Sequence, residues 1–94
     1  MAMKLPTPLE QVEVGGRSVL LKREDGHELG AFKWRGALPS LERYRADGAD
    51  GVVTASTGNH GAATAWAAER AGLRSIVFVP EQASQAKLDL LKEL

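Results

Sequence analysis

The sequence predicts an α/β fold: a parallel βαβ sheet with helices on its faces, preceded by a β-hairpin. Three observations predict it. Two short apolar, β-branched runs, Gly51-Val52-Val53-Thr54-Ala55 and Ser75-Ile76-Val77-Phe78-Val79, read as buried strands. Between them lies the alanine-rich stretch Asn59 to Ala71, followed by Gly72 where a helix C-cap glycine belongs. Upstream, Gly15-Gly16 separates Val12-Glu13-Val14 from Ser18-Val19-Leu20-Leu21-Lys22, the signature of a hairpin whose turn needs positive φ. Strand, helix, strand in that order requires parallel strands joined by a right-handed crossover.

Taken in order, Pro6-Thr7-Pro8 is non-helical because proline fixes φ and restrains its predecessor. The hairpin follows, then a polar, glycine-bounded loop from Arg23 to Gly30. From Ala31 to Arg45 the pattern is helical, with Phe32, Leu38, Leu41 and Tyr44 able to share a face. Gly36 and Pro39 weaken that helix, so a kink or restart is expected near Pro39. After the βαβ unit, Pro80 closes the second strand, and Ser84 can cap a final helix with Leu90, Leu91 and Leu94 as its apolar stripe. The chain reads as one partial domain, residues 1–94, in three regions: a strand and hairpin region (1–30), a helical segment (31–50) and a βαβα unit (51–94). A sheet of two parallel strands keeps exposed edges, and the last helix finds no partner in the sequence, so the whole resembles part of something larger.

Composition excludes several classes. With 94 residues there is room for one small domain, and 44% hydrophobic with 26% charged residues is ordinary for a globular chain. Twelve basic and twelve acidic residues cancel, which argues against nucleic-acid binding and attachment to an anionic membrane. The absence of cysteine removes disulfides, thiolate metal sites and cysteine nucleophiles, and no metal set is expected. The start, Met1 to Pro6, lacks the apolar core of a signal peptide, and Gly61 to Ala68 is far shorter than the ~20 residues of a membrane span. A cytoplasmic protein is the simplest reading.

Two segments can carry chemistry. In Val53-Thr54-Ala55-Ser56-Thr57-Gly58-Asn59-His60-Gly61 a strand runs into small polar residues and then into a helix. Ligands of open α/β sheets bind beyond the carboxyl ends of strands, and a helix N-terminus there offers unpaired N–H groups to an anion. Ser56 and Thr57 add hydroxyls, and Gly58 allows close backbone approach, while the G-x-x-x-x-G-K-[ST] pattern of a P-loop is absent. The same residue types also serve simply as helix caps, and a lone histidine such as His60 is more often structural than catalytic. In Gly30-Ala31-Phe32-Lys33-Trp34-Arg35-Gly36-Ala37 a lysine stands beside bulky aromatics at a helix start, where desolvation would favour a nucleophilic amine. Most helix lysines, though, are solvated surface charges.

Together the two segments resemble those of fold-type-II, tryptophan synthase β-like, pyridoxal-phosphate enzymes, which include serine and threonine dehydratases, serine racemases and threonine synthases. The matching stretches are Thr7-Pro8-Leu9, Leu21 to Asp25, Gly30 to Ala37, Ser56 to Gly61, and Val79-Pro80-Glu81 followed by Ala86-Lys87. They cover nearly the whole chain in the right order. The resemblance implies that Lys33 forms the Schiff base with pyridoxal 5′-phosphate and later moves the substrate's α-proton. It implies that Phe32 packs near the cofactor ring and that Asn59 hydrogen-bonds its phenolic oxygen. Ser56, Thr57, Gly58, Asn59 and His60 would cradle the α-carboxylate, mainly through backbone N–H groups. A hydroxyl at the position of Thr57 serves racemase-type members as an acid–base group.

The implied activity is a lyase of the serine/threonine dehydratase kind, which eliminates a β-hydroxyl from a small amino acid to give a 2-oxo acid and ammonia. Leu29 and Ala31 stand where many relatives carry hydroxyl residues, leaving the subfamily open. Threonine synthase is the alternative within the class, and a non-catalytic α/β module is the alternative outside it. In the resemblance the phosphate-gripping glycine-rich loop and the group facing the pyridine nitrogen come later than these residues. The 94 residues are therefore expected to be an N-terminal portion, inactive alone, that needs the rest of the enzyme or a second subunit. The complete enzyme is expected to be a homo-oligomer.

Overall fold

A computed structural model describes residues 7–94; Met1 to Pro6, where the start segment and the first proline of Pro6-Thr7-Pro8 fall, lie outside the described residues. The chain divides into two compact units, Met1–Phe32 and Lys33–Leu94.

The first unit is the expected hairpin. Strands β1 (Leu9–Val14) and β2 (Arg17–Lys22) pair antiparallel, with Leu9 opposite Lys22 and Val14 opposite Arg17. Gly15 and Gly16 make the turn at φ 58° and 75°, the left-handed pair that matches strand twist and that side chains disfavour. Behind the hairpin, the Arg23 N–H donates to the Pro8 carbonyl (2.9 Å) and the Lys22 ammonium to the Thr7 carbonyl (2.6 Å). The Thr7 hydroxyl bonds the Glu24 carboxylate. The loop after β2 contains a short 3₁₀ turn, Glu24–Gly26, and there Arg23 bridges Asp25 (2.6 Å) and Glu10 (3.1 Å). The guanidinium holds the Asp25 carboxyl below its ordinary range, chiefly by direct hydrogen bonding.

The second unit contains α1 (Trp34–Ala46), β3 (Gly51–Ala55), α2 (Asn59–Ala71), β4 (Arg74–Phe78) and α3 (Gln85–Glu93). Strands β3 and β4 are parallel, with Val53 beside Ile76 and Ala55 beside Phe78. Helix α2 is the centre: it packs on α1, on both strands and on α3, and every residue from Gly61 to Ala68 is buried. Small residues make this possible, because alanine and glycine let neighbouring elements approach from several sides. Trp66 is the one large side chain among them, 2% exposed. Trp34 of α1 meets it edge-on, with ring centroids 5.9 Å apart at 68°. Gly72 ends α2 in the left-handed conformation, φ 75°, as the sequence predicts.

Three expectations change. Helix α1 begins at Trp34 rather than Ala31 and runs unbroken through Pro39, with no restart. Pro39 is exposed, and burial of Trp34 and Leu41 on either side of it offsets its cost of roughly 3 kcal/mol. The apolar face of α1 therefore holds Trp34, Leu38 and Leu41, while Phe32 and Tyr44 are exposed.

The strands are not buried on both sides. Val53, Ile76 and Phe78 are 65, 53 and 61% exposed, whereas Val52, Thr54 and Val77 on the opposite face are half-buried. Among the described residues, helices cover one face of the sheet only, so the period of two divides apolar residues between a covered side and an open one. In α3, capped as expected by the Ser84 hydroxyl accepting from Lys87 N–H (3.3 Å), the side chains facing β4 and α2 are Leu88, Leu91 and Leu94, and Leu90 is exposed.

Candidate active site

The loop from Ser56 to His60 leaves the carboxyl end of β3 and enters α2. Its first N–H, of Ser56, donates to the Phe78 carbonyl (3.0 Å), so the loop departs from the last rung of the parallel ladder. The Ser56 hydroxyl turns back to accept the Gly58 N–H at 3.1 Å. Gly58 is the N-cap of α2 and supplies no side-chain cap. The first-turn N–H groups of a helix have no intrahelical partners and carry its positive dipole end, so this turn is open to an anion.

Gly61 sets how closely loop and helix meet. A Cβ there would lie 2.6 Å from the Ser56 carbonyl oxygen, which no other residue type tolerates without movement. The next tie is a side-chain one, which the sequence reading missed: His60 Nε2 and Thr54 Oγ1 are 3.1 Å apart. The alternation of β3 was its only signal, since it puts Thr54 on the helix-covered face with Val52. The Thr64 hydroxyl donates to the His60 carbonyl (2.8 Å), completing a polar seam along the first turn of α2.

Lys33 stands at the N-cap of α1, in helical conformation, and its carbonyl accepts the Ala37 N–H at 3.0 Å. It is exposed, so the expected desolvation by neighbouring aromatics is not seen: Phe32 is itself 63% exposed, and the buried neighbour is Trp34. Lys33 lines a cavity of about 430 Å³ with Ser40, Tyr44, Thr54, His60 and Thr64. Of the residues singled out by sequence, the structure thus brings Lys33 and His60 to one cavity. Ser56, Thr57, Gly58 and Asn59 form the adjoining loop and do not line that cavity. Phe32 belongs to the first unit. Among the described residues no cluster of three or more His, Asp or Glu side chains is arranged for a metal, and no helix is long and apolar enough to cross a membrane.

Comparison with known proteins gives the family of the chain. Residues 3–94 match the family model described as pyridoxal-phosphate dependent enzyme. The biosynthetic L-threonine dehydratase of Burkholderia multivorans is 41% identical over 75 residues, 79% of this chain and 15% of that protein. Serine racemase of Arabidopsis thaliana is 42% identical over 77 residues, 81% of this chain and 23% of that protein. Among solved structures, a pyridoxal 5′-phosphate-dependent aspartate racemase superposes with a TM-score of 0.81 at 40% identity, over 95% of this chain and 30% of that one. Apo diaminopropionate ammonia lyase of Escherichia coli also superposes at 0.81, covering 99% of this chain and 32% of that one; at 23% identity it speaks for the fold alone. The chain spans 15 to 27% of the length of the curated relatives it matches. Matched over residues 3–94 and superposing on solved members, the chain belongs to the pyridoxal-phosphate dependent enzymes.

Proposed function

We propose that these residues supply the lysine and the carboxylate-binding loop of a pyridoxal-phosphate-dependent lyase that acts on a small hydroxy amino acid, in the manner of a threonine dehydratase. One observation carries the reading: Lys33 and His60 line a single cavity, beside the loop that leads from β3 into the uncapped first turn of α2. The residues fit the cofactor. A primary amine is available to bond a carbonyl carbon, and an uncapped helix turn is available for an anion.

When bound, pyridoxal phosphate supplies an electron sink that stabilises negative charge at the substrate's α-carbon. Lys33 Nζ would hold the cofactor covalently and, once freed by substrate, would take up the α-proton. Phe32 would pack against the ring, and the Asn59 side-chain amide would donate to its phenolic oxygen. The N–H groups of Thr57, Asn59 and His60, with the Ser56 and Thr57 hydroxyls and the close approach that Gly58 allows, would bind the α-carboxylate and turn the Cα–H bond toward Lys33. The Ser56 N–H is given to Phe78 and that of Gly58 to the Ser56 hydroxyl. Orientation of this kind contributes several kcal/mol to lowering a barrier. The α-proton and the β-hydroxyl would leave together as water, and one water would then hydrolyse the resulting enamine to a 2-oxo acid and ammonia.

Racemisation is the second reading, favoured by the 42% identity with a serine racemase and the 40% identity with an aspartate racemase. In it, the Thr57 hydroxyl moves a proton on the face opposite Lys33. Both readings place the working enzyme in the cytoplasm, as a homo-oligomer in which further chain completes the site.

Absorbance of the chain titrated with pyridoxal phosphate tests the reading. A band near the visible edge, lost in Lys33→Ala and retained in Lys87→Ala, is the expected outcome; a band indifferent to Lys33 would contradict it. Ammonia release from serine or threonine is expected to stay at background for these 94 residues, and measurable release would overturn their dependence on further chain.

A further inference from the structure

We infer that the edge-on contact between Trp34 and Trp66 fixes Lys33 relative to the loop of α2, which makes Trp34 a positioning residue for the cofactor lysine. The inference rests on the proposed role of Lys33. That lysine occupies a poor place for precision. It is the N-cap of α1, no side-chain cap closes that end, no acidic residue stands in the first turn, and Gly36 is a weak helix former within it. A helix end of this kind frays unless something outside the helix holds it.

Trp34, the very next residue, is what holds it. Its indole is 8% exposed and lies 5.9 Å, edge to face, from that of Trp66. A cation covers each ring: the Arg35 guanidinium lies 4.4 Å from the Trp34 ring centroid and that of Arg70 3.9 Å from the Trp66 ring centroid. Trp66 is itself fixed, being buried in the middle of α2, the helix whose first turn carries His60 and the carboxylate loop. Amine and loop are thus referred to one rigid element, with Trp34 about 3.8 Å along the chain from Lys33.

The far end of α1 is tied separately. The Arg45 guanidinium donates to the Gly72 carbonyl, and a Cβ on Gly72 would crowd that same group at 3.0 Å. Leu41 is buried between the two ties. Removing Trp34 therefore releases the lysine-bearing end while Leu41 and Arg45 keep the helix docked.

Hydrogen exchange of the Ala37 amide tests this, because its acceptor is the Lys33 carbonyl. In Trp34→Ala, Ala37 is expected to exchange about tenfold faster or more, while Ala67 and Ala68 in α2 keep their protection; Trp34→Phe is expected to restore most of it. Borohydride reduction with pyridoxal phosphate should in parallel shift label from Lys33 toward Lys87 and Lys92 in Trp34→Ala and not in Trp34→Phe. Unchanged Ala37 exchange in Trp34→Ala, with α2 protected, overturns the inference. Should Ala67 and Ala68 also lose protection, Trp34→Leu, which keeps apolar volume without a ring, carries the same two outcomes. If the wild-type chain takes no label at Lys33, the cofactor role fails by itself and Ala37 exchange alone decides the clamp.

Discussion

Helix α2 and the two strands beside it are made of the same kinds of small and apolar residues, yet they end in opposite environments. Gly61 to Ala68 is buried on every side, whereas Val53, Ile76 and Phe78 stand open on the uncovered face of the sheet. The difference is one of partners, not of composition. Four elements surround α2, and only one layer of helices covers β3 and β4. A parallel sheet is ordinarily covered on both faces. The open face thus marks where this unit's apolar surface exceeds what its own helices cover, and the Ser56–His60 loop leaves the carboxyl end of β3.

The largest effect that would break the contrast lies in the buried helix. Trp66→Ala removes the only large side chain buried along α2 and is expected to cost about 3–5 kcal/mol. That is of the order of the whole stability of a small domain, so a urea titration should show the Lys33–Leu94 unit unfolded or nearly so.

Gly61→Ala comes next. Its Cβ would press on the Ser56 carbonyl, with an expected cost of about 1–3 kcal/mol and weaker carboxylate binding at the loop, read from amide shifts of Gly58 to His60 during an acetate titration. Ser84→Ala, which removes the cap of the half-exposed α3, is expected to cost about 1 kcal/mol in the same titration.

On the open face, Phe78→Thr is expected to change stability by no more than about 0.5 kcal/mol, against several for a core aromatic, and to lower self-association seen by light scattering. The smallest effect is electrostatic and sits in the hairpin unit. Arg23 depresses the Asp25 carboxyl, so the pair's contribution is present above the ordinary carboxylate range and fades as pH falls through the depressed folded value. Both groups are at the surface, so the change should appear as a lower Asp25 titration by NMR that Arg23→Ala restores, and hardly in unfolding.

What the sequence made legible followed local rules. The ends of α2 and its Gly72 cap, β3 from Gly51 to Ala55, the two-glycine turn and the Ser84 cap are each decided by neighbours a few residues away, and they stand where the sequence puts them. Burial was harder to see. Whether Phe32 or Trp34 turns inward depends on where α1 begins, and that is fixed by Trp66, more than thirty residues downstream. The same holds for Pro39, whose local penalty is overridden by Trp34 and Leu41. Exposure of the strands could not be read from their residues, because an apolar strand looks the same with one covered face or two. In the site, the order of Lys33 and the Ser56–His60 loop was evident in the chain, while Thr54 under His60 emerged only from register.

The central claim is that Lys33 is the cofactor lysine. It is tested most directly by borohydride reduction of the chain with pyridoxal phosphate at low stoichiometry, followed by mass spectrometry of its peptides. The expected result is a pyridoxyl label concentrated on Lys33, with Lys22, Lys87 and Lys92 nearly unmodified. Equal labelling of all of them, or a label that spares Lys33, would contradict the account.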